Sequence, residues 1–536
     1  MIAPFSMTEQ QRPSLSPAEL PLCALRTTMR MLAALLASLI FTLTYATLAA
    51  KSRRAEIVLI PLLDILQSVP VLGYLSFTVV FFVSLFPGSA LGPECAAIFA
   101  IFTSQAWNMA FSFYQSLRTI PSDLDEVSRS FRLTTWQRFW RLEVPFAMPG
   151  LVWNMMMSMS GGWFFVVASE AIAVGEFRID LPGIGSYVAQ AIAERDLGAV
   201  GWAITAMTVT ILLYDQLLFR PLVAWADNFR FEQTAARVVP ASWLLDLFHR
   251  TILLKFAAAP LAVGARRVLR ARLSLPQQLR GSLSRALSGR AGGILWYGAV
   301  LALLAYAMRM FLRFVGPVLS WEDMASAVGN GLLTLVRVLV LVAIATIVWV
   351  PIGVAVGLRP KLAEKVQPAA QFLAAFPANL LFPLAVYVIV RGNLTASIWL
   401  SPLMILGTQW YILFNVIAGA SAFPTDLREA AATLRLGRLA WWSKVLLPGI
   451  FPYYVTGAIT AAGGAWNASI VSEAVQWGST KLNASGLGAY IADMTEAGDY
   501  PRIALGIVVM STFVILLNRL LWRPLYAFAE RRTRLD

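Results

Sequence analysis

Two similar polar segments lie between long apolar runs in this chain, far apart in residue number. The first reads Pro121-Ser-Asp-Leu-Asp-Glu126-Val-Ser-Arg-Ser-Phe-Arg-Leu-Thr134. The second reads Pro424-Thr-Asp-Leu-Arg-Glu429-Ala-Ala-Ala-Thr-Leu-Arg-Leu-Gly437. Each continues through basic residues to a proline, Pro145 in the first copy and Pro448 in the second. A polar segment that recurs in the same setting predicts an internal duplication, which would organise the whole fold.

The composition is that of a membrane protein. Hydrophobic residues make up 58% of the 536 residues, charged residues only 13%, and the mean hydropathy is +0.68. Most of the uncharged runs reach the roughly 20 residues that a helix needs to cross about 30 Å of hydrocarbon. These runs are residues 31–50, 65–93, 95–117, 145–169, 197–214, 291–308, 338–358, 366–390, 393–425, 446–472 and 503–517. We therefore expect an all-α polytopic membrane protein with about eleven spans.

The basic residues predict the orientation of the spans. The formal net charge is +14, but this excess does not indicate a nucleic-acid-binding protein, because it lies in loops between spans. Cytoplasmic loops are enriched in Lys and Arg, so both polar segments and the C-terminus are predicted to be cytoplasmic. Basic clusters lie at residues 51–54, 118–141, 359–365, 428–444 and 531–534, and further arginines are spread through residues 228–290.

A nearly constant shift relates the two halves. A shift of 303 residues pairs Glu126 with Glu429, and an upstream shift of 307 pairs Pro70 with Pro377. Because both polar segments are predicted on the same side, these are two parallel tandem repeats of about five core helices, unlike inverted repeats. The predicted organisation is an N-terminal tail at 1–26, a first repeat at 27–227, a cytoplasmic amphipathic basic linker at 228–290, an extra transmembrane helix at 291–314 and a second repeat at 329–530.

Each polar segment predicts a short helix followed by a tight turn. Asp123 and Asp426 suit an N-cap or first-turn position. The small residues 430–432 would let the second helix lie closely in a groove of a partner. Gly437 suits the left-handed conformation that ends a helix.

The second copy resembles a known signature. Glu429-Ala-Ala with Gly437 and Pro448 resembles the EAA motif of the permease subunits of binding-protein-dependent ABC importers. A Ser-Glu-Ala followed by Gly-x-Gly-x-Tyr, at 169–187 and 472–490, is similar to the nitrate/sulfonate/taurine branch, including its fused double permeases. The resemblance implies a bacterial inner-membrane protein on which two ATPase subunits, holding the ATP, dock from the cytoplasm. It also implies an extracytoplasmic substrate-binding protein.

The resemblance assigns ATPase coupling to two matching sets of residues. The sets are Glu126, Val127, Ser128, Thr134 and Pro145 in the first copy, and Glu429, Ala430, Ala431, Gly437 and Pro448 in the second. The first copy departs from the pattern, because Val127 and Ser128 replace Ala-Ala and Thr134 replaces Gly. If the two ATPase subunits are identical, we therefore expect the Glu429 side to make the stronger contact.

Two acidic residues are candidates for the translocation pathway. Glu170 and Glu473 end uncharged runs, and ionisable groups at membrane depth tend to face protein or water. They are interpreted either as gate residues or as helix-end carboxylates that hydrogen-bond the glycine-rich loop after them. Two carboxylates along an anion pathway would be electrostatically unfavourable, which favours the structural role.

Prolines and tryptophans supply further pathway candidates. Pro70 and Pro377 lie within apolar runs, where they predict either a kinked pore helix with freed backbone carbonyls or a packing distortion. Trp163 and Trp466 follow small residues, which predicts close helix crossing. Core packing explains these two indoles better than stacking on a substrate.

Several kinds of chemistry have no motif in this sequence. The chain has no Gly-x-x-x-x-Gly-Lys-Ser/Thr phosphate loop, so we expect it not to be an enzyme and to leave ATP hydrolysis to separate subunits. Its one histidine, His249, offers no Ser-His or Cys-His pair. No Cys/His cluster has metal-ligand spacing, so no metal or other cofactor is predicted in this chain.

The predicted function is a transmembrane permease subunit of an ABC importer. It would form the pathway for a small anion, such as a sulfonate, nitrate or a related oxyanion, by ATPase-driven alternating access. One alternative is a fused ABC permease for ferric iron. A second, from another class, is a nucleotide-independent channel or secondary carrier, which parallel repeats alone would permit.

Overall fold

The computed structural model describes residues 14–174, 177–229 and 290–533. The linker predicted at 228–290 and residues 1–13 of the predicted N-terminal tail lie almost wholly outside this part of the chain. The tail was predicted to extend to residue 26, and this is wrong, because a helix begins at Leu20. Ser16 caps a short 3-10 turn, Pro17–Glu19, that leads directly into this helix.

The first half contains helices of very different length and one β-hairpin. Its elements are α1 Leu20–Lys51, α2 Arg53–Ser68, α3 Val71–Leu85, α4 Leu91–Arg118, α5 Ser122–Ser130, α6 Thr135–Arg138, a π-helical segment Phe139–Glu143, α7 Val144–Glu170, β1 Ala171–Val174, β2 Phe177–Asp180, α8 Ile184–Glu194, α9 Leu197–Tyr214, a π-helical segment Asp215–Phe219 and α10 Arg220–Asp227.

The second half repeats this order after one additional helix. Its elements are α11 Arg290–Val315, α12 Trp321–Gly357, α13 Pro360–Ala375, a 3-10 turn Ala378–Leu381, α14 Phe382–Arg391, α15 Ala396–Trp399, α16 Leu403–Leu406, α17 Trp410–Ser421, α18 Thr425–Thr433, α19 Arg438–Ala440, a π-helical segment Trp441–Leu446, α20 Leu447–Ser472, β3 Ala474–Trp477, β4 Thr480–Asn483, α21 Leu487–Ala497, α22 Tyr500–Leu517, a π-helical segment Asn518–Trp522 and α23 Arg523–Thr533.

The apolar runs form helices because a chain in hydrocarbon must satisfy every backbone polar group internally. Within the described residues, seven helices are long and apolar enough to cross a membrane, or up to ten if each bent pair counts as one span. The remaining predicted run, 95–117, lies in α4, a helix of 28 residues that packs between α1 and α7. The prediction of a helical polytopic membrane protein is confirmed.

The prolines predicted to kink pore helices lie at complete breaks. Helices α2 and α3 meet at 100° beside Pro70, and α13 and the helical stretch after Pro377 meet at 78°. A proline has no N–H for the helix ladder and forces the preceding residue into an extended conformation. Val69, with ψ 123°, has this conformation. Each predicted single span is therefore two helices joined at an angle.

Each broken helix packs against the other half. Helix α3 contacts α20 and α22, whereas α13 contacts α7 and α9. At the first break, the backbone N–H of Val71 donates to Oδ1 of Asn467 at 2.8 Å. At the second, Nδ2 of Asn379 donates to the carbonyl of Phe164 at 3.2 Å. The broken helix of each half thus contacts helices of the other half. These reciprocal contacts join the two halves around a pseudo-twofold axis.

Two antiparallel hairpins close the end of the bundle opposite to α5 and α18. Strands β1 and β2 pair from Ala171 with Asp180, and β3 and β4 pair from Ala474 with Asn483. Each hairpin follows a long helix directly, α7 or α20. The tip of the second hairpin reaches the first half, where the N–H of Gly478 donates to the carbonyl of Ile192 at 3.0 Å.

Candidate functional site

The two polar segments fold into matching helices at one end of the bundle. Helices α5 and α18 each have nine residues and each follow a proline in an extended conformation, Pro121 or Pro424. Asp123 lies in the first turn of α5, as predicted. Asp426 lies at the equivalent position of α18 by its number in the chain, and its side chain is outside the described residues. The duplication therefore extends to the backbone geometry of these segments.

The residue that ends each helix is an arginine, so the prediction for Gly437 is wrong. Arg132 and Arg435 adopt left-handed conformations, with φ of 49° and 46°. The N–H of the next residue, Leu133 or Leu436, then donates to the carbonyl five residues earlier at 3.2 Å, as in a Schellman turn. Gly437, with φ −63° and ψ 157°, is extended and precedes the next helix.

Thr134 takes a structural role that Gly437 cannot take. Its hydroxyl accepts a hydrogen bond from the N–H of Gln137 at 3.3 Å, and the Gln137 side chain accepts one from the N–H of Thr134 at 3.2 Å. This reciprocal pair is a capping box. The replacement of glycine in the first copy therefore adds a helix cap, and a Cβ at Gly437 would meet nothing within 4 Å.

The signature residues divide between an exposed ridge and a buried contact. Glu126 and Glu429 are exposed on α5 and α18. Val127 is half-exposed on the same ridge. Ser128 and Ala431, by contrast, are buried against the body of the protein. This burial explains the small side chains at the third signature position, since a larger one would push the helix away.

A chain of ion pairs ties α5 to the rest of the first half. Arg138 contacts Asp125 at 2.6 Å and Glu143 at 3.1 Å, and Lys51 at the end of α1 contacts Glu143 at 2.7 Å. Glu143 is buried, so these cations compensate a desolvated carboxylate. In the second half, the position of Glu143 is taken by Leu446, which is also buried. Helices α5 and α18 therefore have the same backbone shape, but the ion pairs through Glu143 that connect α5 to the first half have no equivalent at Leu446 in the second half.

A central cavity lies between the two halves. Its volume is about 580 Å³, and it is lined by the first helix break, including Pro70, and by residues of α7, α20 and α22. Among the described residues that line it, Asp64 is the single acidic or basic side chain that is charged at neutral pH. Asp64 forms a salt bridge with Arg523 of the other half. The cavity wall thus has no unpaired charge within the described chain.

The two halves contribute different chemistry to this cavity. The first half lines it with Trp153, Met157 and Phe164. The equivalent positions in the second half are Thr456, Thr460 and Asn467, which also line the cavity. At these three positions the first half has large aromatic or sulfur-containing side chains, whereas the second half has smaller polar ones.

Glu170 is a helix-end carboxylate that hydrogen-bonds the segment after it, and it does not line the central cavity. Its carboxylate is completely buried, and it accepts hydrogen bonds from Thr27, Arg30 and the N–H of Gly185, each at 2.7 Å. Arg30 also bonds Glu94 at 2.6 Å. A Cβ at Gly185, in the first turn of α8, would lie 2.2 Å from the carbonyl oxygen of Val167, so glycine is required there. The carboxylate thus holds the start of α8 against the end of α7.

Glu473 has the same surroundings in the second half. It accepts hydrogen bonds from Thr334 and Arg337 at 2.9 Å and from the N–H of Gly488 at 2.8 Å. A Cβ at Gly488 would lie 2.4 Å from the carbonyl oxygen of Ser469. Neither Glu473 nor Glu170 is among the described residues that line the central cavity.

The structure separates the remaining pathway candidates. Trp466 lines the central cavity and stacks on Phe513 with centroids 6.2 Å apart. Trp163 packs edge-on against Tyr214 at 5.5 Å and lines a different cavity of about 360 Å³. Pro70 lies at the central cavity, whereas Pro377 lies between two lining residues, 376 and 378. Residues that are equivalent in the two sequence repeats thus differ in whether they line the central cavity.

Comparison with known proteins agrees with this geometry. The sequence profile of the family described as "Binding-protein-dependent transport system inner membrane component" matches residues 29–220 and 348–535. The chain belongs to this family. Because the match occurs twice, the predicted internal duplication and the resemblance to fused permeases are confirmed.

Relatives in this family transport small polar solutes. The chain is 30% identical over 201 residues to a bicarbonate transport system permease protein of Synechococcus elongatus, covering 38% of this chain and 66% of that protein. It is 28% identical over 187 residues to a nitrate import permease protein of Leptolyngbya laminosa, covering 35% and 63%. It is 27% identical over 186 residues to a glycine betaine/proline betaine transport system permease protein of Escherichia coli, covering 35% and 48%. The chain thus spans between 48% and 66% of the length of these curated relatives.

The sequence argument did not identify two charged residues of this chain. Asp64 and Glu143 each lie just outside an uncharged run. Their partners, Arg523 for Asp64 and Lys51 for Glu143, are distant in sequence. A charged residue that borders an apolar run was the only available signal, and it does not identify a partner.

Proposed function

We propose that this chain is the transmembrane subunit of an ATP-binding-cassette importer for small oxyanions. The observation that carries this proposal is the pair of matching helices α5 and α18, which expose Glu126 and Glu429 at one end of the bundle. We assign this end to the cytoplasm, together with the C-terminus, because of the basic residues around it. The protein would lie in the bacterial inner membrane.

Each exposed helix is the docking element for one ATPase subunit in this proposal. The exposed ridge would enter a groove of the ATPase, while Ser128 and Ala431 pack on the membrane subunit. The contact residues on the two sides would be the other residues of the signature, namely Glu126, Val127, Thr134 and Pro145 in the first copy and Glu429, Ala430, Gly437 and Pro448 in the second. ATP binds to the ATPase subunits.

The path from the docking helix to the cavity is short. After α5 the chain passes through α6 and the π-helical segment Phe139–Glu143 into α7, which lines the cavity. After α18 it passes through the equivalent segment Trp441–Leu446 into α20. π-Helical turns are frequently found at functional sites. Closure of the ATPase dimer would draw α5 and α18 together and reorient α7 and α20, which exposes the cavity alternately to the two sides.

The cargo class follows from chemistry shared by the relatives' cargoes. Nitrate and bicarbonate are oxyanions, and betaines contain a carboxylate group. The negatively charged oxygen atoms in all of them accept hydrogen bonds. The central cavity of about 580 Å³ is lined by Asn, Thr, Ser, Tyr and Trp side chains that can donate hydrogen bonds. We therefore assign a small oxyanion, such as nitrate, bicarbonate or a sulfonate, delivered by an extracytoplasmic binding protein.

The proposal is tested by charge reversal on both docking helices. The full chain is purified with its ATPase and binding protein, and complex formation and ATP-driven uptake are measured for Glu126→Arg combined with Glu429→Arg. We expect loss of the complex and of uptake. Glu322→Arg, an exposed acid on the other side of the bundle, serves as the matched control and should change neither. An intact, active complex in the double variant would refute the docking role.

A further inference from the structure

A second cavity adjoins the central cavity on the side of the bundle that carries α5. We call it the side cavity, and its volume is about 590 Å³. Four residues line both cavities, namely Asp64, Gln67, Asn108 and Asn154. Gln115 also lines the side cavity, about one turn before α4 ends and the chain continues to α5. The side cavity therefore extends the central cavity toward the proposed cytoplasmic end.

Two arginines of the second half line the side cavity. Arg519 lies in the π-helical segment Asn518–Trp522, and Arg523 begins α23 four residues later. Residues about one turn apart lie on the same side of a helix, in agreement with their place in one cavity wall. Both side chains are exposed, so a dissolved ion in the cavity can reach them.

The two arginines differ in their partners. Arg523 forms a salt bridge with Asp64 of the first half. Arg519, by contrast, makes no hydrogen bond or ion pair with any residue that the structure describes. These three are the acidic and basic side chains among the described residues that line the side cavity. Two positive charges against one negative charge leave this wall with a net charge of +1.

The equivalent cavity at the other junction between the halves is neutral. Its volume is about 360 Å³, and the positions of Arg519, Arg523 and Asp64 are taken there by Gln216, Arg220 and Gln371. Arg220 pairs at 3.3 Å with Asp215, which lines the same cavity. One positive and one negative charge cancel among the described residues of that wall. The excess positive charge is thus confined to one of the two junctions.

The chemistry of the side cavity selects an oxyanion. A guanidinium group is always charged and presents its N–H donors in a fixed fork, which suits an ion with two or more oxygen atoms. Gln67 and Asn154 add amide N–H donors to the same wall. The Asp64 carboxylate opposes an anion, because it repels negative charge and already occupies Arg523. We therefore expect the cavity to bind an oxyanion weakly.

We propose that Arg519 and Arg523 form an exit site for the transported oxyanion, between the central cavity and the cytoplasm. This inference rests on the proposed function of the chain as an oxyanion importer. An anion from the central cavity would bind Arg519 and compete with Asp64 for Arg523. The Asp64–Arg523 pair is about half exposed, and such pairs are weak, so a small anion can displace the carboxylate.

The displaced carboxylate then helps release. When Asp64 pairs with Arg523 again, the bound anion loses one of its two cations and is repelled by the returning negative charge. A transport pathway needs sites that bind strongly enough for entry and weakly enough for departure. An internal carboxylate that competes with the cargo meets both needs.

The test measures competition from the cytoplasmic side. The full chain and its ATPase are reconstituted in proteoliposomes with the ATPase outside, and the binding protein and labelled nitrate, bicarbonate or ethanesulfonate are enclosed inside. ATP in the outer medium then drives the labelled anion out of the lumen. Unlabelled oxyanion in the medium should occupy the exit site and slow this movement. Potassium chloride keeps the ionic strength constant, so that screening does not change.

The readout is the oxyanion concentration in the medium that halves the rate. Arg519→Gln, which introduces the side chain of the equivalent Gln216, should raise this concentration about threefold, as expected for the loss of one exposed charge pair. Arg519→Lys keeps the charge and should raise it less. Arg220→Gln, which removes an arginine from the neutral cavity, is the matched control and should leave it unchanged. Damage to folding alone would lower the rate without shifting this concentration.

The outcomes separate this inference from the function on which it depends. If the unaltered importer moves none of the three anions with ATP, the proposed function fails. If it moves an anion and Arg519→Gln leaves the half-inhibiting concentration unchanged, the exit site is refuted while the function stands. Absence of any inhibition of the unaltered importer by oxyanion in the medium would refute the exit site as well.

An anionic lipid headgroup offers the same oxygen atoms as a free oxyanion. Each measurement is therefore made in vesicles of phosphatidylcholine alone and in vesicles that also contain phosphatidylglycerol. The exit site predicts the same shift for Arg519→Gln in both. A shift confined to the vesicles with phosphatidylglycerol would show that Arg519 binds a lipid, which overturns the exit site.

Discussion

Asp64 in α2 of the first half forms a salt bridge with Arg523 at the start of α23 in the second half. The pair lies beside a cavity of about 590 Å³ that shares residues with the central cavity and is also lined by Arg519. The equivalent positions of the other half differ, because Gln371 replaces Asp64 and Arg220 pairs with Asp215 of its own half at 3.3 Å. The junction between the halves is thus bridged by charge on one side.

Loss of this bridge should loosen that junction. Both side chains are about half exposed, so the pair contributes only about 0.2–1 kcal/mol. Asp64→Asn is therefore expected to raise ATP-independent leak of a labelled anion by a few-fold, without loss of folding. The exchange variant, Asp64→Arg with Arg523→Asp, should restore a low leak rate. Unchanged leak in Asp64→Asn would show that the bridge has no gating role.

Glu170→Ala should strongly destabilise the first half. It leaves Arg30 buried with only Glu94 as a carboxylate partner, and breaking a buried ion pair costs about 3–5 kcal/mol. The comparison variant is Glu473→Ala, because Arg337 is 16% exposed whereas Arg30 is 4% exposed. We expect a smaller loss there, since water can solvate Arg337. Thermal unfolding in detergent measures both, and equal losses would contradict this reasoning.

A helix cap can be transferred from the first coupling segment to the second. Thr134→Ala should cost about 1 kcal/mol, because the N–H of Gln137 loses its acceptor. Gly437→Thr should instead stabilise the second segment, since the new side chain has open space. Amide hydrogen exchange of the residues after 134 and 437 reports both changes. Faster exchange after Gly437→Thr would show that the cap does not form.

The glycines at the start of α8 and α21, which Glu170 and Glu473 hold in place, should not tolerate alanine. A Cβ at Gly185 or Gly488 would lie within 2.4 Å of a backbone carbonyl oxygen of the preceding helix. Gly185→Ala and Gly488→Ala are expected to lower the melting temperature by several degrees, because backbone must move. Gly201→Ala on α9, where a Cβ meets nothing within 4 Å, is the matched control. A normal melting temperature for Gly185→Ala would contradict the close packing.

The sequence predicted the repeated elements well, because their causes are local. Uncharged runs determine the spans, and the polar segments with their prolines determine α5 and α18. The turn after α18 was assigned to the wrong residue, Gly437, because a left-handed arginine such as Arg435 has no sequence signal comparable with glycine. The break at Pro70 was underestimated, since its angle depends on Asn467 in the other half.

The candidate site was less predictable for a different reason. Trp163 and Trp466 are equivalent by number, and only the three-dimensional arrangement shows that one of them lines the central cavity. The ion pairs of Asp64 and Glu143 join residues that are distant in sequence. Composition and spacing predict where a single helix forms and which residues lie on its faces. Cavity lining and long-range ion pairs depend instead on which helices pack together.

The reciprocal packing of the broken helices has a consequence for the ancestry of the chain. Each half supplies the hydrogen-bond partner for the other half's helix break, through Asn467 for Val71 and through Phe164 for Asn379. A single half would have had to obtain that partner from a second copy of itself. The arrangement is therefore that of a homodimer whose two copies are joined in one chain. Fusion then allowed the two copies of each position to diverge, as Trp153 and Thr456 have done.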